Sequence, residues 1–473
     1  MKRGDRNRTQ SSRPYRSDEN NIRELRPEDF QTRRPERDYS LRSLNSSSPE
    51  EEPSAPQRAS VPDARKRNRE AARRRKRSVP AQSSARSAAL PRPEESDFTL
   101  IASVLLLSFI GLVMVTSSGY YYAYTHLGDS LYFLRKQFKW LLLGLAALLA
   151  CRIFPLEWVR ALSRIIYWLA IACCVLVLFV GQSKNGSTRW LGIGEISFQP
   201  AELAKIAVAI HVSLLVEKNQ DTIHTWKTFF KLLAVVLLPT VLVTIENLSS
   251  GAIIGIIGIV IMFVGGVRWR CFFAVVLPIA LLVIVMVVLP IYVPTTSLPD
   301  PLRNLMEEYM YRTERIWAWL DPWAYAQDEG YQAIQSLYAV GSGGFFGRGL
   351  GNSIQKLGFI PEAHNDIIFS IICEELGLFG AGIVILLFGV LVWHGIKISL
   401  GAPDKFTCLL AAGLVGQVGI QAIMNIAVNT NSMPVTGVSL PFISYGGSSM
   451  LFLMGSIGLL LNISRYSRRP SAE

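Results

Sequence analysis

Residues 366–395 read DIIFSIICEELGLFGAGIVILLFGVLVWHG, an apolar run that opens on an acid, Asp366, and carries two more, Glu374 and Glu375, well inside it. A helix needs about 20 apolar residues to cross a bilayer core. Charged side chains within such a run are costly and mark function. Asp366, Ser370 and Glu374 recur every four residues, so on a helix they would form one polar stripe. This stretch places the chain in a membrane and brings polar chemistry to its edge.

Runs of the same kind recur outward from it, at 98–117, 137–154, 164–181, 200–216, 231–247, 250–267, 271–293, 406–428 and 447–464. Together they predict an all-α polytopic membrane protein of about ten transmembrane helices. The polar segment 294–366 separates the seventh run from the eighth. It carries Gly330-Tyr331-Gln332, Gln335-Ser336, the glycine-dense run 341–351, Ser353, Gln355 and Lys356, and Pro361-Glu362-Ala363-His364-Asn365-Asp366. Loops this long are functional or disordered. Trp317, Trp319, Trp323, Tyr331, Tyr338, Phe345 and Phe346 make it too aromatic for disorder, so it is expected to fold back onto the membrane domain.

Half of the 473 residues are hydrophobic, yet the formal charge is +12. The charge belongs largely to residues 1–97, with roughly 24 Lys and Arg against 16 Asp and Glu, a net of about +8. That composition cannot bury enough apolar surface to fold, so a disordered basic tail is expected, followed by a membrane domain over 98–465 and a short tail over 466–473. No apolar stretch close to Met1 suggests a signal peptide. The clusters Arg65–Arg69 and Arg73–Arg77 suit an anionic inner leaflet or a docking partner better than nucleic acid, because no folded nucleic-acid module accompanies them. Six cysteines lie in or at the ends of apolar runs without metal-binding spacing, which reads as buried thiols.

Short-loop charges orient the bundle. With the tail inside, the inner loops hold Arg152, Arg160, Arg164, Lys218, Lys227, Lys231, Arg268, Arg270, Lys397 and Lys405, and the end of the chain adds Arg465, Arg468 and Arg469. The outer loops hold fewer: Arg135, Lys136, Lys139, Lys184 and Arg189. Both termini are therefore expected to be cytoplasmic, with 294–366 as one large extracytoplasmic loop. Chemistry on that face has no access to ATP and needs an already activated substrate.

Two further polar clusters accompany the Asp366 stripe. One is Asn185-Gly186-Ser187-Thr188-Arg189-Trp190 followed by Gln199-Pro200-Ala201-Glu202 and Lys205. Pro200 suits a first helical turn, which puts Glu202 and Lys205 three apart on one face, either as a structural ion pair or as part of a site. Trp190 reads equally as an interfacial anchor. The other is Pro434–Gly437 with Leu440-Pro441-Phe442-Ile443-Ser444-Tyr445-Gly446-Gly447-Ser448-Ser449, a re-entrant or extended segment whose glycines allow close backbone approach and whose hydroxyls can bind a polar ligand.

In this order the motifs resemble the SEDS family (shape, elongation, division, sporulation) over about 98–465, and the 434–444 motif is more similar to its division branch than to its elongation branch. The resemblance implies a peptidoglycan glycosyltransferase that polymerises lipid II beside a class B penicillin-binding protein and other division proteins, in the bacterial inner membrane at the septum. Two departures stand out. Glu246-Asn247-Leu248-Ser249-Ser250-Gly251 replaces the family's Pro-Asp-x-Gly-Thr-like motif, and Asn365 stands where threonine is usual.

Polymerisation needs a base for the acceptor hydroxyl and positive charge for the departing pyrophosphate. The family motif makes Asp366 the base, although without the family an N-cap is as good a reading of an aspartate at a helix start. Arg189, Lys205, Arg135, Lys136 and Lys356 are the candidates for pyrophosphate, with Trp190, Glu202, Gln355, Ser444 and Ser448 as further substrate contacts. His364, Ser370 and Glu374 would support them, Glu374 being the next base candidate. No cofactor is demanded; a divalent cation, Mg or Mn, bridging Asp366 and phosphate is compatible with the chemistry, its ligands left open. A lipid-linked precursor flippase would also use many spans and buried charges, but no internal repeat is visible and the polar motifs gather on one face. A purely structural scaffold would not need the Asp366 stripe.

Overall fold

The computed structural model describes residues 98–184, 187–193, 196–278, 281, 315–328 and 330–466. The expected tail 1–97, most of the final tail and the loop from 294 to 314 lie outside the described residues. Eleven labelled helices carry the fold within the described residues. They are α1 (Phe98–Tyr122), α2 (Tyr132–Ile153), α3 (Leu156–Val180), α4 (Pro200–Lys218), α5 (Trp226–Glu246), α6 (Leu248–Val264), α7 (Trp269–Pro278), α8 (Tyr331–Ser342), α9 (Ile368–Gly401), α10 (Lys405–Asn429) and α11 (Gly447–Ser464).

Six of these, α1, α3, α5, α9, α10 and α11, are long and apolar enough to cross a membrane. The helices α2 and α4 reach 22 and 19 residues but carry charge, Arg135, Lys136 and Lys139 in one and Glu202 and Lys205 in the other. Every expected run coincides with a helix, the seventh only as far as Pro278 and residue 281, but among the described residues six helices, not ten, have the length and apolarity of a span.

The helices start and stop for local reasons. Asp404 accepts from the amide of Thr407 at 3.0 Å and completes a capping box for α10. Asn247 accepts from the amide of Ser250 at 3.1 Å and opens α6 one residue after α5 ends. Thr225 caps α5 through the amide of Thr228. The core is one continuous apolar cluster of side chains from α1 to α11, with α10 among the most buried helices.

A small antiparallel sheet departs from the all-helical expectation. Strands β1 (Gln182–Lys184), β2 (Ser187–Ile193) and β3 (Ile196–Phe198) lie in the order β1-β2-β3, with Gln182 opposite Trp190 and Leu191 opposite Phe198. It links α3 to α4 and carries Arg189 on its central strand.

The described part of the long loop packs on the bundle as expected. α8 lies against α9, and Ser336 Oγ donates to the carbonyl of Asn429 at 2.7 Å. Gly343 passes so close to α9 that a β-carbon there would stand 1.9 Å from the carbonyl oxygen of Cys373. α9 itself breaks at Gly377, whose φ of 68° is left-handed.

Candidate functional site

The site is built where β2, the turn before α9 and the 433–446 segment meet. Two charged side chains approach Gly437: a β-carbon on it would lie 3.4 Å from Arg189 Nη1 and 3.8 Å from Asp366 Oδ2. Arg189 also lines a narrow recess with Gln199, Glu246, Asn247, Cys174 and Val243, at the junction of α3, α4, α5 and the sheet. Its Nε is buried with no hydrogen-bond partner among the described residues. Burial and the nearby Arg315 lower the guanidinium's pKa, while Asp366 and Glu246 favour its charge. Arginine stays protonated through such shifts, so Arg189 is a fixed cation.

Asp366 is half-buried. Desolvation raises its carboxyl to about pKa 6, against the opposing pull of its own amide, that of Ile367, and Arg189; Glu362 adds to the rise. Such a group is poised to take and release a proton near neutral pH. The N-cap position of α9 is Ile367, one residue on, and the amides that act on the Asp366 carboxylate are its own and that of Ile367. Asp366 thus stands one residue before the position that an N-cap would take.

Two asparagines that sequence reasoning passed over hold this turn. Asn425 Nδ2 donates to the carbonyls of Asp366 (2.7 Å) and Val438 (2.8 Å), and Asn429 Nδ2 donates to Asp366 (3.0 Å). His364, two residues before Asp366, is buried among Phe133, Tyr122 and Tyr445, its ring 4.0 Å from that of Phe133. Burial lowers it to about pKa 4, so it is neutral here, and its carbonyl accepts from the amide of Tyr445 at 3.0 Å. His364 thus supports the turn through packing.

Glu202 and Lys205 form a fully buried pair at 2.7 Å on α4, whose first turn begins at the recess with Pro200. Glu246, which replaces the usual aspartate motif, does put a carboxylate beside Arg189. Trp190 is half-buried next to it on β2.

Other candidates lie elsewhere. The expected stripe does not form, because Asp366 sits in a non-helical turn and its supposed companions face other partners. Ser370 is bonded by the side chain of Asn429 at 2.8 Å and by Ser336 at 2.5 Å. Glu374 is wholly buried and accepts from Ser353 Oγ (2.5 Å) and the amide of Ile354 (3.0 Å), with Arg348 at 3.4 Å. It holds the 348–356 loop in place and is not a second base beside Asp366. Lys356 is buried against Glu375 (2.7 Å) and Ser117 (2.9 Å), a structural lock rather than an open pyrophosphate contact, and Gln355 lies in the same loop with its Oε1 buried.

Ser444 closes its own turn by accepting from the amide of Leu440 at 2.8 Å, and Ser448 accepts from the amide of Gln199 at 3.2 Å. Both shape the site's walls. Arg135 pairs with Asp129, and Lys136 lies over the ring of Tyr132 and bonds its hydroxyl; both are exposed and engaged locally at the start of α2.

The chain is thus a helical membrane bundle in which a guanidinium and a carboxylate approach one glycine. The sequence profile for FtsW, RodA and SpoVE, described as cell cycle protein, matches residues 98–469, and the chain belongs to that family. It is 38% identical over 376 residues to stage V sporulation protein E of Bacillus subtilis, covering 79% of this chain and 98% of that one. It is 37% identical over 374 residues to a probable peptidoglycan glycosyltransferase FtsW of Hahella chejuensis, covering 78% and 89%. Among solved structures, one described as structural coordination of polymerization and crosslinking by a peptidoglycan synthase complex matches with a TM-score of 0.64 at 26% identity, over 78% of this chain and 98% of that chain. The fold is also that of Thermus thermophilus rod shape determining protein RodA, with a TM-score of 0.55 at 24% identity, over 79% and 98%.

Proposed function

We propose that this chain is a peptidoglycan glycosyltransferase that polymerises lipid II on the outer face of the bacterial inner membrane. The observation that carries the reading is the approach of both Asp366 and Arg189 to Gly437. Asp366 removes the proton from an acceptor sugar hydroxyl as its oxygen bonds the anomeric carbon of the donor. The bond from that carbon to the lipid pyrophosphate breaks, and the pyrophosphate leaves with its added charge beside Arg189. Correct placement of the two sugars supplies much of the remaining barrier reduction.

Relatives named as probable peptidoglycan glycosyltransferases and a solved peptidoglycan synthase complex support this reading. The pairing of polymerization with crosslinking in that complex supports a crosslinking partner, which we assign to a class B penicillin-binding protein. Division at the septum is the cellular role we favour, on the 434–444 motif and the FtsW-named relatives; the sporulation relative marks a paralogue that would run the same chemistry. The basic tail is assigned to anionic lipid. A divalent cation, Mg or Mn, would supply extra counter-charge to the pyrophosphate, with Asp366 as the residue to hold it; among the described residues no three His, Cys, Asp or Glu side chains converge.

The test is purified full-length protein in detergent with labelled lipid II, with and without a class B penicillin-binding protein. Glycan polymer is expected, and detergent leaves a flippase nothing to transport across. No polymer under either condition would refute the assignment.

A further inference from the structure

We infer that Asn425 and Asn429 of α10 are positioning residues for Asp366, acting through its main-chain carbonyl and through the helix that follows it. The inference rests on the reading of Asp366 as the base. Both asparagines are buried, at 1% and 0% exposure, and lie one turn apart on the same face of α10. Their side-chain amides converge on one acceptor, the Asp366 carbonyl, at 2.7 and 3.0 Å. The same Asn425 nitrogen reaches the carbonyl of Val438, next to Gly437. One NH2 group therefore ties the backbone of Asp366 to the segment that carries Gly437, the glycine that both charged side chains approach.

Asn429 does a second thing. Its Oδ1 accepts from the amide of Ser370 at 3.0 Å, in the first turn of α9, and from Ser370 Oγ at 2.8 Å. The first-turn amides of a helix are normally satisfied by the side chain just before it. Here a neighbouring helix supplies that acceptor. Asp366, an aspartate one residue before the N-cap, is thereby relieved of capping, and its carboxylate is left to face Gly437 and Arg189. An aspartate drawn into the cap would be held as the anion and turned away from Arg189.

A merely structural asparagine pair would stabilise the helix end and nothing else. The two roles separate in kinetics. In purified full-length enzyme acting on lipid II, Asn425→Leu and Asn429→Leu are each expected to lower kcat about tenfold, the cost of a misplaced catalytic group, with KM changed less than about twofold. The acid limb of the pH profile should move downward as Asp366 takes over capping in Asn429→Leu. Asn462, a buried asparagine bonded to the carbonyls of Cys151 and Phe154, is the control. Asn462→Leu should lower thermal stability and leave kcat per folded molecule and the pH limb alone.

Where a leucine variant does not fold, the serine variant at the same position, too short to reach the carbonyl, is read in the same way. Folded Asn425 and Asn429 variants with the parent kcat and pH limb would overturn the inference. Asp366→Asn is run alongside: if it still polymerises, the base assignment is what fails. If it is inactive while the asparagine variants are normal, the positioning role alone fails.

Discussion

Arg189 and Asp366 approach the same glycine from two elements, with Nη1 3.4 Å and Oδ2 3.8 Å from where a Gly437 β-carbon would stand. Those are ordinary contact distances. Gly437→Ala should therefore fold with stability within about 0.5 kcal/mol of the parent. Its methyl would nevertheless occupy space beside both the Asp366 carboxylate and the Arg189 guanidinium, where substrate oxygens must pass. Polymerisation is expected to fall about tenfold or more. Normal activity in this variant would mean that substrate does not pass between the two side chains.

The carboxyl of Asp366, raised to about pKa 6 by desolvation, gives polymerisation an acid limb. The base works as the anion, so activity should rise with pH through about 6 and then level off. The stability sign is the opposite. A carboxyl whose folded pKa lies above its unfolded value stabilises the fold in acid, and that contribution is lost as pH rises through about 6. Asp366→Asn should abolish polymerisation while remaining folded and should flatten this step in a plot of thermal stability against pH. An Asp366→Asn protein that keeps the step would place the titrating group elsewhere.

Lys205 and Glu202 make a pair 2.7 Å apart with 1% and 3% side-chain exposure. Removing one member of a buried pair strands the other charge, at a cost of about 3–5 kcal/mol. Lys205→Met should lower thermal stability by about that amount, and adding Glu202→Gln should restore much of it. If Lys205→Met is as stable as the parent yet inactive, the lysine contacts substrate and its structural role is secondary.

Lys356 joins the loop to α1 and α9 through Ser117 and Glu375. Lys356→Met is expected to speed limited proteolysis within residues 345–360 severalfold while leaving the helical circular dichroism unchanged, because the loss falls on loop attachment. An unchanged cleavage rate would show that the Glu374 bonds alone hold the loop.

Apolar run length made the spans legible, and the 447–464 run coincides with α11 to the residue. The helical stripe failed because a period of four holds only inside a helix, and Asp366 lies in a turn where Glu362 has φ of 50°. Its would-be companions were then claimed by neighbours no sequence spacing could identify: Ser370 by α10 and Glu374 by the 348–356 loop. Arg189 drew notice through its motif, but its approach to Asp366 depends on a sheet whose sequence signal, Asn185-Gly186 between two short runs, is a hairpin dipeptide that was there to be read. Asn425 and Asn429 carry no charge and so raised no alarm in an apolar run. Their four-residue spacing, continued upstream by Gln421 and Gln417, was the available clue.

The break in α9 at Gly377 bears on how the protein is made. There the carbonyls of Glu374 and Glu375 accept from the amides of Arg348 and Gly349, and the amides of Leu378 and Phe379 donate to Gly344 and Phe345, all at 2.9–3.0 Å. The crossing is so tight that a β-carbon on Gly347 would stand 2.2 Å from the carbonyl oxygen of Glu375, and one on Gly377 would stand 2.3 Å from the amide nitrogen of Gly347. Main-chain groups left unbonded in lipid cost several kcal/mol each. A nascent α9 of this shape therefore cannot be released into the bilayer by itself. The segment 343–349, synthesised just before it, has to be delivered with it, so the unit of membrane insertion at this point is a helix together with the strip of loop threaded through its break.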